Sequence, residues 1–141
     1  MKKIVLFLIA AMSGLLLAGC GSSIPSVPVT DATQQAILAF SEAKTDNLVA
    51  GMNANDYAMF SKDFDQDMLN AMTQSQFETF KQDRDAKLGA FVSRKVNSVV
   101  QQGDFYVVIY DSVFEKDPNV TMRVVFRVAE PHPISGLWFN K

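Results

Sequence analysis

The sequence predicts an α+β domain in which N-terminal helices pack on a curved antiparallel sheet of about four strands. Three observations predict it. Apolar residues between 31 and 88 recur at helical spacing, and from residue 91 onward Val, Phe, Tyr and Ile crowd into segments of strand length. The two regimes do not interleave, so the strands follow one another as a meander rather than as parallel strands joined by helices.

Asp31 is placed to cap a first helix running to about Asn53, with Ile37, Leu38, Phe40, Leu48, Val49 and Met52 on one broad apolar face. Asn53-Ala54-Asn55-Asp56 reads as a turn, and Asp56 can cap a short helix carrying Tyr57, Met59 and Phe60. Another short turn of helix is expected around Met68 to Met72. Thr73 followed by Gln76 is a capping-box pattern that opens a helix to about Leu88, which puts Phe77, Phe80 and Leu88 on one side and ends at Gly89.

Beyond Gly89 the predicted strands are 92–101, 105–115, 120–129 and 134–140, separated by breaks at Gly103-Asp104 and Asp117-Pro118-Asn119. Both faces of segment 105–115 are apolar. One face must pack on the helices, so the other is expected to meet a second protomer, another protein or a ligand. Tyr106, Tyr110, Arg123 and Arg127 are the candidate interface residues, because aromatic side chains mixed with arginine characterise interface cores.

The 141 residues allow a single core. Formal charge is −2, from 13 basic and 15 acidic residues, a balance that argues against nucleic acid as a partner. One cysteine, Cys20, and one histidine, His132, supply neither a disulfide nor a metal ligand set, and no cofactor is expected.

Lys2 and Lys3 precede an apolar run, Ile4 to Leu17, of signal-peptide length and too short to span a bilayer comfortably. Residues 1–19 therefore read as an export signal. Leu17-Ala18-Gly19-Cys20 resembles the lipobox of bacterial lipoproteins. The resemblance implies cleavage after Gly19, diacylglycerol on the Cys20 sulfur and acylation of the new amine, which together anchor the domain to a membrane. Gly21 stands where an aspartate would resemble an inner-membrane retention signal, so in a host with two membranes the outer one is expected. Residues 20–30, small and proline-rich, read as a semi-extended tether of roughly 30 to 35 Å, leaving 31–141 as the domain.

Asn55-Asp56-Tyr57 with Phe60, then Phe77, Gly89, Phe105, Phe114 and Gly136-Leu137-Trp138-Phe139, resembles the uncharacterised lipoprotein domains of the nuclear transport factor 2-like superfamily over about residues 32–141. That resemblance implies a cone-shaped fold. It transfers no activity, because such folds host enzymes, binding modules and dimerisation modules alike.

Chemistry-bearing residues are few. Asp111 alternates with Phe105, Val107, Ile109 and Val113, which places it on an apolar strand face expected to turn inward. Lys44 and Arg84 fall inside the apolar stripes of their helices, so the three charges are a candidate pocket. A desolvated Asp111 would serve as a general base, with Lys44 or Arg84 adjusting its acidity; the structural alternative is an internal ion pair or side chains that snorkel to water. His132, between two prolines, reads as a surface-loop residue. Asp63, Asp65 and Asp67 lack the glycine and glutamate that a calcium loop needs and read as a solvated acidic face, as do Asp83 and Asp85 beside Arg84.

Two functions of different classes remain. The first is a membrane-anchored, extracytoplasmic, non-enzymatic binding or assembly module, forming a homodimer or meeting an envelope protein. The alternative is a small-molecule isomerase or hydrolase-like enzyme with Asp111 as base. A cone filled by side chains would instead favour a purely structural envelope protein.

Overall fold

The computed structural model describes residues 24–141; the predicted leader 1–19, Cys20 and the first residues of the tether lie outside the described residues. The elements run β1 (Val27–Pro28), α1 (Asp31–Ala54), α2 (Tyr57–Phe60), α3 (Gln66–Ala71), α4 (Gln74–Lys87), β2 (Phe91–Gln102), β3 (Phe105–Phe114), β4 (Asp117–Arg127) and β5 (Ile134–Asn140). All strands join one antiparallel sheet in the order β1-β2-β3-β4-β5, with the helices against one face, so the domain is α+β as the periodicity predicts. No helix among the described residues is long and apolar enough to cross a membrane.

Local chemistry sets the boundaries. Thr30 rather than Asp31 caps α1, its hydroxyl accepting from the Thr33 N–H, while Asp31 supplies negative charge to the first turn. Asp56 and Asp65 cap α2 and α3, accepting from the Met59 and Met68 N–H groups, and Thr73 and Gln76 form the expected capping box on α4. The break expected at Asp117-Pro118-Asn119 falls earlier, at Glu115-Lys116, and Pro118 lies inside β4. It is tolerated there because β5 reaches only as far as Thr121, so no donor is required on that side.

Part of the expected tether is also sheet. Val27 and Pro28 pair with Gln101 and Val100, Val29 packs against the core, and Ile24 lies against Gly103 in the β2–β3 turn.

The core lies between the helices and the inner sheet face. Ile37, Leu48 and Met52 of α1, Phe60 of α2, and Phe77 of α4 meet Val108 and Phe114 of β3, Met122, Val124 and Phe126 of β4, and Ile134 of β5. Phe60 is an aromatic hub, its ring 4.6 Å from Phe77, 5.1 Å from Phe64 and 6.1 Å from Phe80. Gly51 lets α2 approach α1: a Cβ at this position would stand 2.3 Å from the Phe60 amide nitrogen.

Segment 63–65 is stitched to the start of β5, with the Asp65 N–H donating to Ile134 O and the Ile134 N–H to Asp63 O. The Asp65 carboxylate accepts from the Met68 N–H, the Ser135 hydroxyl and Arg127 Nε, the last at 2.7 Å, and Arg127 also reaches Asp67 at 2.8 Å. Asp63 accepts from Asn47. The acidic run expected to face solvent is therefore in large part a fastening.

Two outcomes follow from this arrangement. Gly51→Ala should lower stability by about 1–3 kcal/mol through overpacking against backbone, read as a lower midpoint in urea with the slope unchanged. Burial raises the Asp65 carboxyl, but hydrogen bonds from Ser135, Met68 and Arg127 outweigh it and hold the group below its ordinary 3.8. Folding thus favours its ionised form, so this stabilisation is complete above about pH 4 and is lost as pH falls through the folded-state value. Melting scans from pH 7 to pH 3 should show a steeper acid loss for the native chain than for Asp65→Asn.

Candidate functional site

The sheet has two faces, and the structure sorts the predicted residues between them differently from the sequence-based expectation. On β3 the inner face carries Tyr106, Val108, Tyr110, Ser112 and Phe114, and the outer face carries Phe105, Val107, Ile109, Asp111 and Val113. Asp111 is therefore exposed, opposite to the inward placement expected. Its carboxylate accepts from Asn97 at 3.1 Å and has no cation within 4 Å among the described residues. The adjoining depression, lined by Pro118, Asn119 and Thr121, measures only about 170 Å³. Without burial, the carboxyl lacks the desolvation that the general-base reading required.

Nor do the three charges converge. Lys44 donates to the carbonyls of Pro131 and His132, securing the loop that precedes β5. Arg84 is buried near the opposite end of the sheet, where Nε and Nη2 donate to Asp85 Oδ1. Helical periodicity locates Lys44 and Arg84 within their apolar stripes but gives no position along the sheet, which is why the expected cluster fails.

Of the candidate interface residues, Tyr110 is fully buried, and Tyr106 is half-buried on the inner face with its ring 6.3 Å from Phe40. Arg127 is committed to Asp65 and Asp67, its guanidinium 5.3 Å from the Phe105 ring. Only Arg123 remains available on the outer face. His132, expected on a loop surface, is half-buried there, with its ring stacked on Phe40 at 4.1 Å and Nδ1 beside Arg127 O.

A polar cluster that periodicity does not reveal stands where α1 crosses the inner face. Tyr110 donates to Glu42 Oε1 at 2.7 Å and lies 3.2 Å from Thr45 Oγ1. Arg94 binds Glu42 Oε2 at 3.1 Å and Asp46 Oδ1 at 2.7 Å, with its guanidinium 5.1 Å from the Tyr110 ring. Burial, partly offset by Thr45, and the Glu42 carboxylate push the Tyr110 phenol above its ordinary value, so it stays a neutral donor. The cluster clamps helix to sheet. Its one legible signal was Ser41 and Thr45 inside the stripe that continues to Leu48 and Met52; the irregular register between Phe91 and Ser93 obscures the inward phase of Arg94.

The outer face is apolar at its centre. Val100, Val107 and Val125 form one cross-strand row, and Val107 is only 1% exposed although none of the described helices covers it. The next row carries Ile109, Arg123 and Trp138. Trp138 is 53% exposed, and its ring lies over Gly136, where a Cβ would stand 2.2 Å from the indole. A groove of about 390 Å³ runs between Phe105, Arg123, Val125, Ser135 and Trp138. Arg123 Nε, at its wall, is buried without a hydrogen-bond partner among the described residues.

This geometry can hold an apolar surface and pair an acceptor with Arg123; it presents no nucleophile positioned by a base. Among known proteins, no curated sequence and no solved structure matches. A family model described as a protein of unknown function, DUF3887, matches residues 45–131, from the middle of α1 to the loop before β5. With more than half of its length matched, the chain belongs to the DUF3887 family.

Proposed function

We propose that this protein is an extracytoplasmic lipoprotein, held at a membrane by lipid on Cys20, and that its domain is a non-enzymatic assembly module that docks a second copy of itself through the outer sheet face. The observation that carries the reading is Trp138, 53% exposed on a sheet face that no described helix covers, beside the half-buried Val100 and Val125. Charges of both signs, Arg123 and Lys95 with Asp111, lie on the Ile109 side of the Val100–Val107–Val125 row, and none of the three forms an ion pair within the chain among the described residues. A face that carries both signs beside apolar side chains can pair with its own two-fold copy.

The anchor rests on Lys2 and Lys3, the apolar run and the lipobox-like Leu17-Ala18-Gly19-Cys20. The helices-then-meander order agrees with the cone-shaped superfamily that the motif pattern resembles, and that superfamily includes dimerisation modules.

Expression of the full chain should give a membrane-bound product whose mass includes acyl chains. Cys20→Ala should remove both the added mass and the membrane association; a substituted chain that keeps its lipid would end the anchor reading. Residues 24–141 should sediment as a concentration-dependent dimer, and Trp138→Glu should weaken it at least ten-fold while leaving the melting temperature nearly unchanged. A native domain that stays monomeric at millimolar concentration would refute the docking of two copies.

A further inference from the structure

The second cavity lies on the other side of the sheet. Between α4 and the ends of β4 and β5 is a pocket of about 270 Å³ whose apolar wall is Phe80, Leu88, Val120 and Phe139. Phe80 and Phe139 are near-parallel, with centroids 6.0 Å apart, and Phe139 meets Phe114 edge-on at 5.6 Å. The remaining lining is charged and mostly of one sign: Arg84, Lys87 and Lys141 against Asp83 alone.

We propose that this pocket binds a small carboxylic acid with a flat apolar body. The aromatic wall offers the face and edge contacts that a planar body uses, and the cations receive the carboxylate. Arg84 is the residue that distinguishes the pocket from an unfilled corner of the core. Its side chain is only 3% exposed, yet Nη1 has no hydrogen-bond partner among the described residues, and a buried cationic donor left unpaired is costly.

Lys87 and Lys141 are 69% and 60% exposed, and their contacts with Asp83 and Asp117, at 3.7 and 3.2 Å, are surface pairs that an incoming anion can replace. The C-terminal carbonyls of α4 would oppose an anion, but Lys116 Nζ donates to Asp85 O and Ala86 O and offsets them. Size narrows the ligand. A volume just below the ordinary range of small-molecule pockets suits a free acid of one ring and a short side chain, and excludes a full-length acyl chain. The pocket lies at the sheet end farthest from Val27, so a tethered N-terminus leaves it open to solution.

Amide NMR titration of residues 24–141 with 3-phenylpropionate, 3-phenylpropanol and 3-phenylpropylamine tests the site. The acid should produce saturable shifts at Leu88, Val120 and Phe139, with the alcohol and the amine at least ten-fold weaker. Arg84→Met should bring the acid down to the affinity of the alcohol. Lys87→Gln, at an exposed position where folding is not at stake, should weaken the acid about three-fold. Equal binding of acid and alcohol, indifference to Lys87→Gln, shifts that do not saturate, or shifts centred on Trp138 would each overturn the proposal.

Discussion

Tyr110 is the side chain on which the two faces of the sheet turn. Its ring is buried beneath α1, its hydroxyl is fixed between Glu42 and Thr45, and Arg94 reaches across the same ring to Glu42 and Asp46. Strand residues alternate, so holding Tyr110 inward forces Asp111 outward and, with it, Ile109, Val107 and Phe105. A slip of one residue would drive Asp111 into the core and expose Phe114. Apolar matching alone would resist such a slip weakly, because both faces of β3 carry large apolar residues. The clamp adds hydrogen-bonding demands that only one phase satisfies, and a buried donor or acceptor stripped of its partner costs about 1–3 kcal/mol.

The same ambiguity decides what was legible in the sequence. Helix limits, the capping box at Thr73 and Gln76, the Gly89 stop and the α+β class could be read because each depends on neighbours within a few residues. The phase of β3 depends on contacts with Thr45 and Glu42, some 65 residues away, and nothing local distinguishes its two apolar faces. Tyr106 and Tyr110 were therefore grouped with Arg123 and Arg127, although the tyrosines face the helices and the arginines do not. Arg84 was legible because an arginine inside a helical apolar stripe must either snorkel or find an acceptor, and here it finds the half-exposed Asp85. Lys44 solved the same problem differently, by reaching the carbonyls of the loop before β5.

Beyond Tyr110, the sheet divides the domain into two different environments. Toward the helices the space is filled by aromatic rings around Phe60 except at one end, where α4 stops at Lys87 and leaves the Phe80–Phe139 wall open beside three cations. Away from the helices the outer face carries apolar side chains beside charges of both signs, with the groove under Trp138 and a shallower depression at Asp111. A bounded pocket suits a small ligand and a broad apolar face suits a folded partner, because pockets gain affinity from enclosure whereas interfaces gain it from a packed centre within a polar rim.

A lipid on Cys20 would constrain how the two proposed surfaces are presented. β1 joins the sheet at Val100 and Gln101, beside the β2–β3 turn, so only six residues, 21–26, separate its start from Cys20, a reach of roughly 25 Å at full extension. With lipid on Cys20, as proposed, the β2–β3 turn would be the part of the sheet held nearest the membrane, and the end formed by Phe114, Asp117 and Asn140 the part farthest from it. The outer face would then be open to a neighbouring copy confined to the same surface. Confinement raises the effective concentration of such encounters, so a self-association too weak to dominate in dilute solution can still prevail at the membrane. The Arg84 pocket, at the far end of the same strands and on the opposite face, would then be separate from the proposed contact between copies.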